Sequence, residues 1–249
     1  MTNLRRRAQP WLGTLVSIDV VLDNARFDVD GAFARGFAAV ARVHESMSAQ
    51  RPASDVARFN AARRGEIVLC DPWTIQVLRI AATLREASGG LFDVTLGAGA
   101  IYRIVDARGV LKLRAGSRLE LGGVAKGYAV DRAVAALRAG GVRRGLVNAG
   151  GDLRAFGKGA WPVALRGAAG GFALERGAIA TSEYRDGRSP HHADALIAPA
   201  TATMYRTNRT ITVAAPRCAL ADAMTKVIAL TDDPRHPLLV QIGGQAWLR

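Results

Sequence analysis

Over residues 14–21 apolar and polar side chains alternate. Val16, Ile18 and Val20 fall on one face and Ser17 and Asp19 on the other, the period of a half-buried strand. Beyond Asp30 the period lengthens: Phe33, Phe37, Val40 and Met47 recur at near-helical spacing, and Asp30 suits the N-cap. A second helix opens at Asp71-Pro72, an acidic cap followed by proline at the first helical position. It turns Trp73, Val77, Ile80 and Leu84 inward and stops at Ser88-Gly89-Gly90. After short strand-like pieces over residues 103–121, Val130, Val134 and Leu137 stripe a helix over residues 126–138, ended by Gly140-Gly141. Leu146-Val147 begins a strand that breaks at Gly150-Gly151-Asp152, and residues 166–207 read as a long Gly/Ala-rich loop with short strands. Ile211 and Val213 mark another strand, and Leu220, Met224, Val227 and Ile228 a last helix. Residues 239–242 and 246–248 flank Gly243-Gly244 as a closing hairpin. With no repeat or linker, the pattern predicts one compact α+β domain over residues 1–249 with packed helices and mixed or antiparallel sheets.

Composition adds one pointer. The chain of 249 residues carries a formal charge of +13, and of its 34 basic residues only Lys112, Lys126, Lys158 and Lys226 are lysines. Where arginine does the ordinary solvated work, Lys126 and Lys226 in small, apolar surroundings mark places that need a compact ammonium. The arginines are scattered without interleaved aromatics, so an anionic small ligand is expected rather than nucleic acid. Cys70 and Cys218 lie far apart outside any CxxC spacing, as core residues do. No run reaches the ~18 apolar residues of a membrane span, and the segment after the first basic run carries Ser17 and Asp19, unlike a signal-peptide core. The sequence as given therefore reads as cytoplasmic, or periplasmic if the native N-terminus lies upstream.

Neither GxGxxG after a strand nor GxxxxGK[ST] occurs, which argues against dinucleotide-fold and P-loop enzymes. Instead, glycine turns sit at element junctions. Gly122-Gly123 ahead of Lys126 either offers free N–H groups, a helix N-terminus and an ammonium to a phosphate, or is an ordinary turn beside a solvated lysine. Asp152 after two glycines reads as a turn-closing side chain. Thr181-Ser182 contacts an oxyanion or merely ends a strand. Asp222, Thr225 and Lys226 share a helix face, as a functional cluster or as a solvated i,i+4 pair. His44 reads as a boundary residue, and His191-His192 as plain loop.

Taken in order, these pieces resemble the FAD:protein FMN transferase family, the ApbE-type flavin transferases. LGTLVSIDV at 12–20 resembles the family's opening strand, MSAQRPASDVARFN at 47–60 its flavin-proximal loop and GGLFDVTLG at 89–97 its FDxTxG segment. LELGGVAKGYAVD at 119–131, LVNAGGDLRAFG at 146–157, IATS at 179–182 and ALADAMTKVIAL at 219–230 follow collinearly. The resemblance implies an ApbE-like, T-fold-like domain and a magnesium-dependent transfer of FMN from FAD to a threonine or serine of an acceptor flavoprotein, with release of AMP. FAD pyrophosphatase activity or non-catalytic FAD binding are the alternatives.

The resemblance also assigns positions. Gly123 (through its carbonyl), Asp222 and Thr225 would hold Mg²⁺, and Asp222 would orient or deprotonate the attacking hydroxyl. Leu12, Gln50, Leu91, Phe92, Asp93, Glu120, Lys126, Thr181, Ser182, Ile197 and Lys226 would contact FAD. Three departures stand out. Gln50 takes the place of a stacking aromatic, residues 195–202 have lost the histidine, aspartate and final glycine of an HxIDPxTG element, and Lys226 stands four residues after Asp222 where threonine is usual.

Overall fold

The computed structural model describes residues 3–22, 27–164, 171–184 and 196–249, with Phe172 described by its backbone alone. In chain order the elements begin with β1 (Asn3–Trp11), β2 (Thr14–Leu22), α1 (Val29–Met47), α2 (Asp55–Ala61), β3 (Ile67–Leu69) and α3 (Pro72–Ala87). The middle comprises β4 (Tyr102–Ile104), β5 (Gly109–Lys112), α4 (Gly122–Ala139), β6 (Arg144–Ala149), β7 (Asp152–Phe156) and β8 (Trp161–Ala164). Then follow β9 (Gly171–Leu174), β10 (Gly177–Glu183), β11 (Leu196–Ala198), β12 (Thr203–Tyr205), β13 (Thr210–Ala215), α5 (Cys218–Thr231), α6 (Pro237–Gln241) and β14 (Gln245–Leu248).

Seven strands form the main sheet in the order β1-β2-β6-β7-β10-β13-β14. Its pairings are antiparallel, so an α+β architecture holds. Alternation along each strand sends side chains to opposite faces. Val16, Ile18, Val147 and Ala149 pack with Phe33, Phe37, Val130 and Leu137 of α1 and α4. On the other face Leu146, Leu153 and Ile179 meet Trp161 and Leu174 of the β8–β9 hairpin. A larger core joins α3, α4 and α5 to the small β3-β5-β4 sheet.

Several elements differ from the sequence expectations. The basic residues 3–11 form β1, joined to β2 by a two-residue turn in which Leu12 (φ 57°) and Gly13 (φ 72°) are both left-handed. The segment from residue 12 is thus a turn plus a strand. Asp19, placed on the polar face, is 1 % exposed, and its charge is met by Arg6 directly across the ladder. The cap of α1 is Asp28, which accepts from Gly31 N, whereas Asp30 lies inside the first turn and pairs with Arg7. Residues 55–61 form α2 behind its Ser54 cap. The helix expected from Lys126 begins four residues earlier, so Gly122 and Gly123 are its first turn. The closing hairpin is absent: His236 and Pro237 open α6 instead, and β14 pairs with β13. Other expectations hold. Asp71 caps α3, and Cys70 and Cys218 are buried free thiols. His191 and His192 lie outside the described residues.

Candidate active site

A cavity of about 1190 Å³ opens where the β1–β2 turn, the loop after α1, the loop after α3, the start of α4, β10, β11 and α5 converge. Twelve of the fourteen positions that the resemblance assigns line it: Leu12, Gln50, Leu91, Phe92, Asp93, Glu120, Gly123, Lys126, Thr181, Ser182, Ile197 and Lys226. They come from seven separate stretches of chain. Asp222 and Thr225 do not line the cavity and sit behind Lys226.

Leu91, Phe92, Ile197 and Leu12 give the cavity apolar lining. Gln50, in the loop after α1, accepts a hydrogen bond from Ser48 Oγ at 2.9 Å. Asp93 is occupied by its own loop, accepting from Thr95 N and Oγ1 at 2.9 and 2.7 Å and pairing with Arg85 at 3.2 Å. Glu120 is likewise used locally. Leu121, at the N-cap of α4, supplies no side-chain cap, and Glu120 Oε1 accepts from Gly122 N at 2.8 Å.

Two lysines of the lining face two buried aspartates. Lys126 Nζ lies 3.3 Å from Asp152 Oδ2, and Lys226 Nζ pairs with Asp222 Oδ1. Asp152 was the residue the sequence undersold. It is 1 % exposed, and its Oδ2 accepts no hydrogen bond. Burial, reinforced by the Asp222 charge, raises its pKa from the ordinary 3.8 to about 7 against the pull of Lys126 and Lys226. Burial also works against the Lys126 ammonium, but Asp152 and Asp222 outweigh it and hold its pKa above normal. The same balance, with Asp222 foremost among the raising charges, keeps Lys226 protonated. No sequence signal marks Asp152 out, because its cost as a buried acid depends on the mid-sheet place of β7, which only the strand order sets.

Asp222 is held from three sides. Its Oδ2 accepts from Gly127 N at 3.0 Å, its Oδ1 takes Lys226, and its backbone carbonyl accepts from Lys226 Nζ at 3.0 Å and from Thr225 Oγ1 at 2.7 Å. Thr225, fully buried, also bonds Ser182 Oγ at 2.8 Å, and Thr181 Oγ1 pairs with Thr212 Oγ1 at 3.1 Å. Gly123 packs against the lysine stem, for a Cβ there would meet Lys226 Cε at 3.4 Å and Phe92 Cε2 at 3.4 Å. Of the groups expected to hold Mg²⁺, Asp222 is thus paired with an ammonium whose stem packs on Gly123. With both Asp222 oxygens engaged and the Thr225 hydroxyl turned back onto its own helix, this donor set as it stands does not fit a hard divalent cation. Among the described residues no group of three or more His, Cys, Asp or Glu side chains is placed to bind a metal.

The chain is similar to known proteins. The model of the ApbE family matches residues 12–104 and 99–244. A curated FAD:protein FMN transferase from Rhodobacter capsulatus is 29 % identical over 258 residues, covering 84 % of this chain and 48 % of its own length. The chain therefore spans about half the length of that relative. Among solved structures, a point mutant of the flavin transferase ApbE from Vibrio cholerae superposes with a TM-score of 0.85 at 19 % identity, over 98 % of this chain and 92 % of that one. The apo flavinyl transferase ApbE of Pseudomonas stutzeri gives 0.83 at 20 % identity, over 99 % and 91 %. At such identities the likeness is one of fold.

Proposed function

The chain belongs to the ApbE family, and from that premise we propose that it transfers FMN from FAD to a threonine or serine hydroxyl of an acceptor flavoprotein, releasing AMP. The observation that carries this reading is a single cavity lined both by the apolar Leu91, Phe92 and Ile197 and by the ammonium groups of Lys126 and Lys226, with the glycine-started helix α4 in its wall. An isoalloxazine ring suits the apolar lining and a diphosphate the cationic one. The relative from Rhodobacter capsulatus, which bears the same activity in its name, supports the reading.

In the transfer, the acceptor oxygen forms a bond to the FMN phosphorus while the bond from that phosphorus to the bridging oxygen breaks, and AMP departs with that oxygen. The hydroxyl proton passes to a carboxylate. Asp152 suits this role better than Asp222, because its Oδ2 meets only the Lys126 ammonium at 3.3 Å and its pKa near 7 matches the range in which a general base works, whereas both Asp222 oxygens are engaged. Lys126 and Lys226 spread charge off the phosphates, and the positive end of the α4 dipole does the same.

The test is incubation of the full chain with FAD and an acceptor carrying a Thr/Ser flavinylation motif, with and without added Mg²⁺. The expected products are AMP and a covalently fluorescent acceptor in equal amounts. AMP with free FMN and an unlabelled acceptor would assign the chain to FAD hydrolysis, and FAD binding without AMP would make it a flavin carrier.

A further inference from the structure

Resting on the FMN-transfer reading, we propose that the Lys226 ammonium is the resident cation of the diphosphate site, taking the place of a divalent metal, so that the chain binds FAD in the absence of one. Three observations place it there. The stem of Lys226 packs on Gly123, its Nζ is seated on Asp222 through both the carboxylate and the backbone carbonyl, and it lines the cavity while Asp222 does not. What a ligand meets at this position is therefore a positive nitrogen with the carboxylate behind it.

The valence of the ammonium fits the role. It has three N–H donors and no lone pair. Two are directed to Asp222 Oδ1 and Asp222 O, and the third has only a long contact of 3.5 Å to Ser182 Oγ. That third donor, on the cavity side, is the one a phosphate oxygen would take. Lys126 also lines the cavity, anchored at 3.3 Å to Asp152, so the diphosphate would meet two fixed cations.

A divalent ion would have to break this arrangement. To reach Asp222 it must displace the lysine from its carboxylate, leaving a largely buried ammonium unpaired and within a few ångströms of a doubly charged ion. Both the desolvation and the repulsion oppose that exchange. Thr225 offers no substitute ligand, because its hydroxyl is committed to Asp222 O and Ser182.

The experiment measures metal and flavin binding separately, on the full chain stripped with EDTA. Mn²⁺ binding is followed by loss of the free-ion EPR signal, and FAD binding by flavin fluorescence with and without chelator. We expect wild type to bind Mn²⁺ no more than about twofold better than Asp222→Asn, and its FAD affinity to change by less than about twofold on chelation. Lys226→Thr, by freeing Asp222, should gain Mn²⁺ affinity by at least roughly tenfold, a gain lost again when Asp222→Asn is added. Tight Mn²⁺ binding by wild type that Asp222→Asn abolishes would overturn the inference, as would a collapse of FAD affinity in EDTA. If Lys226→Thr does not fold, the wild-type measurements alone decide. Failure of the FMN-transfer reading looks different: it appears as an absence of AMP and labelled acceptor, whereas transfer occurring only with added Mg²⁺ would sink this inference and leave that reading standing.

Discussion

At the scale of single residues, the scarcity of lysine was a usable signal. Two of the four lysines line the candidate site, but Lys112, which drew no comment as sequence, is the most buried of them at 0 % exposure. Its Nζ donates to the carbonyls of Phe59, Asn60 and Ser117 at 2.9, 3.3 and 2.7 Å, tying α2 to the turn before α4. Identity alone could not tell this tie from a ligand-binding lysine, since the difference lies in which carbonyls the fold brings close. Asp152 was hidden for a related reason: a GGD turn looks the same whether the acid faces solvent or a second aspartate. Its pKa supplies a signed prediction. The folded protein retains the Asp152 proton over a range where the unfolded chain has released it, so that stabilising contribution is complete below about 3.8 and is lost as pH rises through about 7. Asp152→Asn should therefore flatten the fall in thermal stability between those pH values, and if Asp152 is the base it should also remove the inflection near 7 from the pH–rate profile. Melting curves and AMP release across pH check the two halves independently. Lys126→Ala should weaken FAD binding by about 1.5–3 kcal/mol, the range for a hydrogen bond to a charged group. It should also make stability fall more steeply above neutral pH, because Asp152 is left without its neighbour.

At the scale of elements, the helices were legible where an apolar stripe and a cap coincided, as in α3, and misread where caps compete, as with Asp28 and Asp30. What the sequence did not disclose is how α4 and α5 cross. Gly127 is packed so closely that a Cβ would lie 2.3 Å from Cys218 O and 2.8 Å from Ala219 N. The same contact lets Gly127 N reach Asp222, so the helix crossing and the seat of the Lys226 ion pair are one feature. Gly127→Ala should cost about 1–3 kcal/mol, as overpacking does, measured by denaturant unfolding, and should lower FAD affinity by disturbing Asp222. A second link lies one turn along. No side chain of its own caps α5, and Asp131 of α4 does so instead, accepting from Cys218 N at 2.9 Å and Ala219 N at 3.0 Å while pairing with Arg154 at 2.7 Å. Asp131→Ala should cost about 1–2 kcal/mol, the loss of a capping side chain, and Asp131→Asn should recover part of it.

At the scale of the whole molecule, the α+β class could be read from the periodicities, but the strand order β1-β2-β6-β7-β10-β13-β14 could not, because it depends on pairings between segments more than a hundred residues apart. That order brings seven stretches to one cavity and lets a ligand there brace most of the domain. Binding of FAD to the folded chain alone should then raise the melting temperature, by the equivalent of about 2.7 kcal/mol at a hundred times Kd, and a scan with and without FAD tests it. The helix α4 runs from Lys126 in this cavity to Arg138 at a second, basic cavity of about 740 Å³, which Lys158 also lines. The four lysines thus occupy graded environments: Lys158 exposed, Lys126 partly covered and ion-paired, Lys226 more deeply covered and ion-paired, Lys112 enclosed. An acylating reagent requires a neutral, accessible amine, so their reactivities should fall in that order. Lys158 becomes a natural attachment point for a fluorophore at the far end of α4 from the flavin cavity, and slow acylation of Lys126 that FAD arrests would turn ligand occupancy into a mass difference read at one residue.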